Sequence, residues 1–146
     1  MKNSTSELVL IGDPSPNHRN YYKKINSVKT KNVHVIGSVD HRMLPYYYSA
    51  AKVHVLPSWM ETTGLSSLEA AAMGCNIVIT KKGDTVEYFG DSAQYCEPDN
   101  IESIRSAIHE ANAKTRSLDY SHYVRERFSW RRTAQDTYNL YTTLLR

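Results

Sequence analysis

VHVLPSWMETTGLSSLEAAAMGCNIVIT, residues 53–80, is the stretch whose reading decides the fold. It opens on a short β-branched run, VHVLPS (53–58), that stops at Pro57. A polar loop follows, then an Ala-rich segment from Gly64 to Met73 closed by Gly74, and then a second β-branched run, NIVIT (76–80). Short apolar strands separated by a helix-length segment predict a parallel βαβ unit with a right-handed crossover. Gly74 sits where a helix C-terminal stop is expected.

The same alternation extends in both directions. LVLIG (8–12) and VHVIG (33–37) read as strands, with the turn Gly12-Asp13-Pro14-Ser15-Pro16 ending the first. A polar helix is expected over Arg19 to Val28. Asp40 is placed to cap a helix holding Met43, Leu44, Tyr47 and Tyr48, with Pro45 confined to its first turn. Downstream, AQYC (93–96) reads as a fifth strand. Residues 101–114 form an amphipathic helix with Ile101, Ile104 and Ile108 on one stripe, and residues 130–145 a closing helix. The expected architecture is α/β, a Rossmann-like doubly wound parallel sheet of about five strands covered on both faces. Such sheets bind ligands beyond the carboxyl ends of their strands.

Composition narrows the function. The 146 residues suit one domain, read as 1–146, and the 40% hydrophobic and 23% charged content is that of a globular chain. A net charge of +3 gives no argument for nucleic acid. The six glycines stand at 12, 37, 64, 74, 83 and 90, too far apart for G-x-G-x-x-G or a Walker A loop. Residues 1–7 lack an apolar core of the kind that marks a signal peptide, so a cytoplasmic chain is expected and Asn3-Ser4-Thr5 is read as a chance glycosylation match. Cys75 and Cys96, 21 apart, read as small core residues. Tyr46-Tyr47-Tyr48 resembles a stacking platform, but consecutive helical side chains diverge, which favours packing roles. His34 and His54 occupy the middle of two V-H-V strands; no carboxylate spacing completes a metal set, so locally hydrogen-bonded rings are expected.

Chemistry concentrates after the third strand. Glu61 lies in the loop at its carboxyl end. Gly64 opens the next helix, and the unpaired amides at 64–66 form an anion site suited to a diphosphate. Glu69 lies about 7–8 Å further along the axis, at 1.5 Å per residue. That offset suits a carboxylate holding ribose hydroxyls. The bland reading makes Glu61 a dipole partner and Glu69 a solvated helix residue. Leu68 and Ala70-Ala71-Ala72 make the setting of Glu69 apolar, and a buried acid needs partners; with no basic residue in this helix, a ligand hydroxyl is one candidate. Gly83-Asp84 and Glu87 face the same crevice, either as a turn with a helix-start acid or near the ligand.

Residues 57–80 resemble the signature of the retaining family-4 (group 1) glycosyltransferases: a Pro-Ser strand end, Glu-x7-Glu enclosing Gly-Leu, then Glu-Ala, a small-residue helix, Gly and a β-branched strand. The flanks are similar as well, VHVIGSVDHRMLPYYYSAAKVHV before it, KKGDTVEYFGDSAQYCEPDN and FSWRRTAQDTYNLYTTLL after it, so the likeness runs over about residues 8–146. It implies the C-terminal, donor-binding half of a GT-B fold, here lacking its first strand and loop and the acceptor-binding N-terminal domain. By resemblance Glu61 is the residue at the reacting centre; Thr62, Thr63, Gly64 and Leu65 bind the donor sugar and phosphate; Glu69 holds the ribose; and the turn Gly37, Ser38, Val39 meets the base. The implied activity is retaining transfer from a UDP- or GDP-sugar to an acceptor hydroxyl on a glycan or lipid-linked sugar, with no bound metal or other cofactor. Thr63 replaces the family's usual aromatic, which leaves the sugar unassigned, and Lys52 replaces a usual acid. The family's Arg and Lys for the diphosphate precede the strand at 8–12, where residues 1–7 offer only Lys2, so the chain alone is expected to bind nucleotide weakly and transfer nothing. The alternative is a non-catalytic α/β regulatory or assembly module. From Lys114 onward seven Lys and Arg face three Asp and Glu, so a peripheral membrane contact of Arg125, Arg127, Arg131 and Arg132 stands beside a solvated helix face and a contact with the partner domain.

Overall fold

The computed structural model describes residues 6–145, so Lys2 and Asn3-Ser4-Thr5 lie outside the described residues. The chain divides into two compact units, the first running to Leu44 and the second from Pro45 onward.

In the first unit, β1 (Leu8–Ile11) and β2 (Val33–Ile36) pair in parallel, Leu8 opposite Val33 and Ile11 opposite Ile36. Between them runs α1 (Arg19–Val28), over the residues expected. The crossover is held by Asn32, whose side-chain amide donates to the Ser6 carbonyl at 2.7 Å. Burial on both faces does not extend here: Val9, Leu10 and Ile11 are 44, 37 and 37% exposed. His34 is exposed as well, not the buried ring expected, though it does have a hydrogen-bond partner, Glu7 at 2.6 Å.

The second unit is built around β4 (Asn76–Thr80), flanked in parallel by β3 (Val53–Leu56) and β5 (Ala93–Cys96). Alternation along β4 sends Ile77 and Ile79 into one cluster and Val78 into another, each side chain at most 1% exposed. Helices α3 (Leu65–Ala72) and α6 (Leu118–Arg127) cover the first face with Leu68, Ala70, Ala71 and Val124. Helix α5 (Ile101–Ala113) covers the other with Ala107 and Ala111. Each large buried aliphatic side chain contributes roughly 1.5–3 kcal/mol, so this doubly covered strand is the energetic centre of the unit. Both cysteines are buried and unpaired with each other, in the core role expected.

Every ladder is parallel, as expected, but the strands fall into a two-stranded sheet in the first unit and a three-stranded sheet in the second. Other departures are local. Asp40 caps a single 3-10 turn, His41–Met43, by accepting from the Arg42 amide, and α2 (Leu44–Ala50) follows with Pro45 in its first turn. Along α5 the buried stripe runs through Ile104, Ala107, Ile108 and Ala111, whereas Ile101 is 72% exposed. Helix α4 (Thr85–Phe89) buries Thr85 and Phe89, and α7 (Trp130–Leu144) buries no side chain. Among the described residues, no helix is long and apolar enough to cross a membrane.

Candidate functional site

Thr80, the last residue of β4, is fully buried and joins the two strand exits. Its hydroxyl donates to the Ser58 carbonyl at 2.9 Å, past the end of β3, and accepts from the Lys82 amide at 3.3 Å. Its own carbonyl accepts from the buried Thr85 hydroxyl at 2.5 Å. The loops beyond β3 and β4 are thus held side by side, and Glu61, in the first of them, is bonded to the second. The Glu61 amide donates to the Lys82 carbonyl at 3.1 Å, and its carbonyl accepts from the Asp84 amide at 3.3 Å. These bonds make a one-residue parallel bridge between Glu61 and Gly83. Gly83, at φ +89°, is the residue such an approach demands: a Cβ there would lie 1.8 Å from the Glu61 carbonyl oxygen. Of the two readings of the Gly83 turn, the structure supplies a backbone one, a clamp on Glu61. Asp84 and Glu87 are exposed beside it, with Glu87 in the first turn of α4.

Helix α3 begins at Gly64, in the left-handed region at φ 62°, ψ 55°. Its carbonyl accepts from the Ser67 and Leu68 amides at 2.9 and 3.0 Å, which starts the helix. A Cβ here would stand 3.0 Å from Ile79 Cδ1, so conformation and packing both select glycine. No side chain caps this start. The first amides of an uncapped helix carry the positive end of its dipole, a place for an anion. Thr62 and Leu65 are exposed, Thr63 half-buried and Gly64 buried. Trp59 and Met60, at 67 and 75% exposed, lead into Glu61.

Glu69 is half-buried in the second turn of α3, which removes the solvated-residue reading. Burial, then the Glu69 charge, pushes the Tyr48 phenol up to about 12. Tyr48 also meets His54 edge-on, ring centroids 5.7 Å apart. His54 Nε2 is buried without a hydrogen-bond partner, contrary to the local partner expected for this ring, and burial brings its pKa down to about 4. Ser67 Oγ is likewise buried and unpartnered. Among the described residues, no three His, Cys, Asp or Glu side chains are grouped so as to hold a metal ion.

In the first unit the turn Gly37-Ser38-Val39 follows β2 directly and is tied to Asp13 in the turn after β1. The Ser38 amide donates to Asp13 Oδ1 at 3.2 Å, and the bonds from Ser38 hold the Asp13 carboxyl below its usual range. Asp13 is the residue sequence reasoning missed, legible only as a turn former; Tyr48 packs against the core of the second unit, the packing role expected of it.

A model of the family described as glycosyl transferases group 1 matches residues 1–113. The O-antigen chain mannosyltransferase B of Escherichia coli is 29% identical over 120 residues, covering 77% of this chain and 30% of that protein. Among solved structures, a sucrose-phosphate synthase from Thermosynechococcus elongatus superimposes with a TM-score of 0.80 at 26% identity, over 95% of this chain and 38% of that one. A glycosyltransferase involved in avilamycin A biosynthesis shares the fold, with a TM-score of 0.72 at 19% identity, over 95% of this chain and 43% of its own. The chain therefore spans about a third of the length of these two first relatives. Its parallel sheets flanked by helices are those of GT-B glycosyltransferases, and the chain belongs to the group 1 glycosyl transferases.

Proposed function

We propose that this chain is the nucleotide-sugar-binding part of a glycosyltransferase that moves a sugar from a UDP- or GDP-linked donor to an acceptor hydroxyl with retention of anomeric configuration. The observation that carries the reading is the pair Glu61 and Glu69 on either side of an uncapped helix start. The first is clamped by Gly83 at the strand exits, the second is half-buried in the second turn of α3. In this reading the donor diphosphate lies on the amides at Gly64 and Leu65, and Thr62 and Thr63 border the sugar. Glu69 accepts from the ribose hydroxyls. Glu61 stands by the anomeric carbon, where a carboxylate stabilises positive charge as the leaving diphosphate departs.

The name of the Escherichia coli relative makes mannose the first sugar to test. Transfer itself would need an acceptor-binding domain beside this chain, and an acceptor on a glycan or lipid-linked sugar. No metal is assigned a role.

Isothermal titration of the chain with UDP, GDP and ADP tests donor binding. Binding of UDP or GDP is expected, weakened about 10- to 100-fold by Glu69→Gln, the effect of losing a charge-assisted contact. No binding by any of the three at millimolar concentration overturns the reading. With the parent enzyme, NMR of the first-formed product should show the donor's anomeric configuration kept.

A further inference from the structure

The loop that carries Glu61 leaves β3 through Ser58 and presents a tryptophan on the way. Trp59 is 67% exposed and Met60 75%, and just past Glu61 the Leu65 side chain is 60% exposed. A core indole buries about 150–250 Å². Trp59 forgoes most of that gain, and among the described residues its indole has no hydrogen bond and no ring partner. The backbone beneath it is nevertheless tied at both ends. The Ser58 carbonyl accepts from the Thr80 hydroxyl at 2.9 Å, and the Glu61 amide donates to the Lys82 carbonyl at 3.1 Å. Only Trp59 and Met60 lie between these ties. A rigid ring on a tethered backbone loses little conformational freedom when a ligand covers it.

In the reading above, the donor takes the start of α3, which follows Glu61 in the chain. The acceptor hydroxyl must reach the anomeric carbon beside the same glutamate. Trp59 precedes Glu61 by two residues, at most about 7 Å of chain. That flank of the loop is left to the acceptor. A pyranose has an apolar face of C–H groups edged by hydroxyls, and an indole has an apolar face edged by one N–H donor.

We propose that Trp59 is the acceptor platform: a sugar ring of the acceptor stacks on the indole, which delivers its hydroxyl to the anomeric carbon beside Glu61. This rests on the donor placement made above. It narrows the acceptor from any hydroxyl to one carried on, or next to, a pyranose ring, and so excludes a bare lipid alcohol.

The test follows the indole N–H resonance of Trp59 by NMR, identified by its absence in Trp59→Phe. The 146-residue chain, saturated with UDP or GDP, is titrated with methyl glycosides of mannose, glucose, galactose and N-acetylglucosamine, and with glycerol, which has hydroxyls but no ring. At least one glycoside should shift the Trp59 resonance with millimolar affinity, and glycerol should not. By saturation-transfer NMR of that glycoside, Trp59→Ala should weaken its binding about tenfold and Trp59→Phe, which keeps an aromatic face, about threefold or less. The change for UDP or GDP in Trp59→Ala should be smaller than that for the glycoside. If UDP or GDP binds and no glycoside moves the resonance, the platform is overturned and the donor reading stands. Glycoside binding that Trp59→Ala leaves intact, equal weakening of glycoside and nucleotide, or an equal response to glycerol also overturns it. If GDP-mannose or UDP-glucose shifts the resonance and no free glycoside does, the ring on Trp59 is the donor's own and the acceptor role is rejected. If neither UDP nor GDP binds, the donor placement falls and this proposal with it.

Discussion

The Glu61 carbonyl oxygen occupies the space a side chain on Gly83 would need, 1.8 Å from where its Cβ would be. Residues 22 apart in sequence are thereby locked backbone to backbone, and the placement of Glu61 depends on a neighbour with no side chain. Gly83→Ala combines this overlap with a left-handed φ, so the two loops must separate. The expected result is a loss of at least about 2 kcal/mol in urea denaturation, with donor binding weakened as Glu61 shifts. Wild-type stability and affinity in Gly83→Ala would refute the clamp.

Thr80→Val tests the stitch between the strand exits. Valine matches threonine in shape but strands the Ser58 carbonyl and the Lys82 amide, so a cost of about 1–3 kcal/mol is expected. Hydrogen exchange should quicken at Glu61 and Lys82 more than at Ile77, whose amide lies in the β4 ladder.

Gly64→Ala places a Cβ 3.0 Å from Ile79 Cδ1 and forces alanine into the left-handed region. A cost of about 1–2 kcal/mol follows from conformation alone. Nucleoside diphosphate binding should fall more than binding of the bare nucleoside, because the change lies where the phosphates are proposed to sit. Equal losses for both would argue against that placement.

His54 gives the fold an acid-side dependence. Its folded pKa, near 4, lies below the ordinary value of 6.5, so the unfolded chain takes up the proton first. Stability is full above about pH 6.5 and falls as the pH drops towards 4, by on the order of 3 kcal/mol over that window. Tyr48, its ring neighbour, stays protonated throughout and adds nothing to this slope. Denaturation of wild type and His54→Phe at pH 7 and pH 4.5 checks it: the variant should lose clearly less. Identical losses would show that His54 does not drive the dependence.

Much of this was readable from residue order. Helix α1, the run of five β-branched or apolar strands and the stop at Gly74 follow from local pattern, and so does the position of Glu61 at a strand exit. Helix α6 was not, because Leu118–Arg127 buries only Ser121 and Val124, a stripe too thin to register as periodicity. Its signals were terminal ones: Ser117 accepting from the Tyr120 amide, Asp119 in the first turn, and Arg125 and Arg127 in the last. At the candidate site, both glutamates were visible but the support of Glu61 was not. Gly83 reaches Glu61 across 22 residues of chain, and no periodicity records such a meeting. The burial expected for every strand holds for β4 and fails for β1 because apolar sequence states a capacity for burial, while the cover comes from other elements.

The two tryptophans, Trp59 and Trp130, are 67 and 83% exposed, which gives the chain a use beyond its chemistry. Trp130→Phe leaves a single indole two residues before Glu61, facing water. Its emission then becomes an optical gauge of the strand-exit loop, able to follow a nucleotide's arrival in real time without any attached dye.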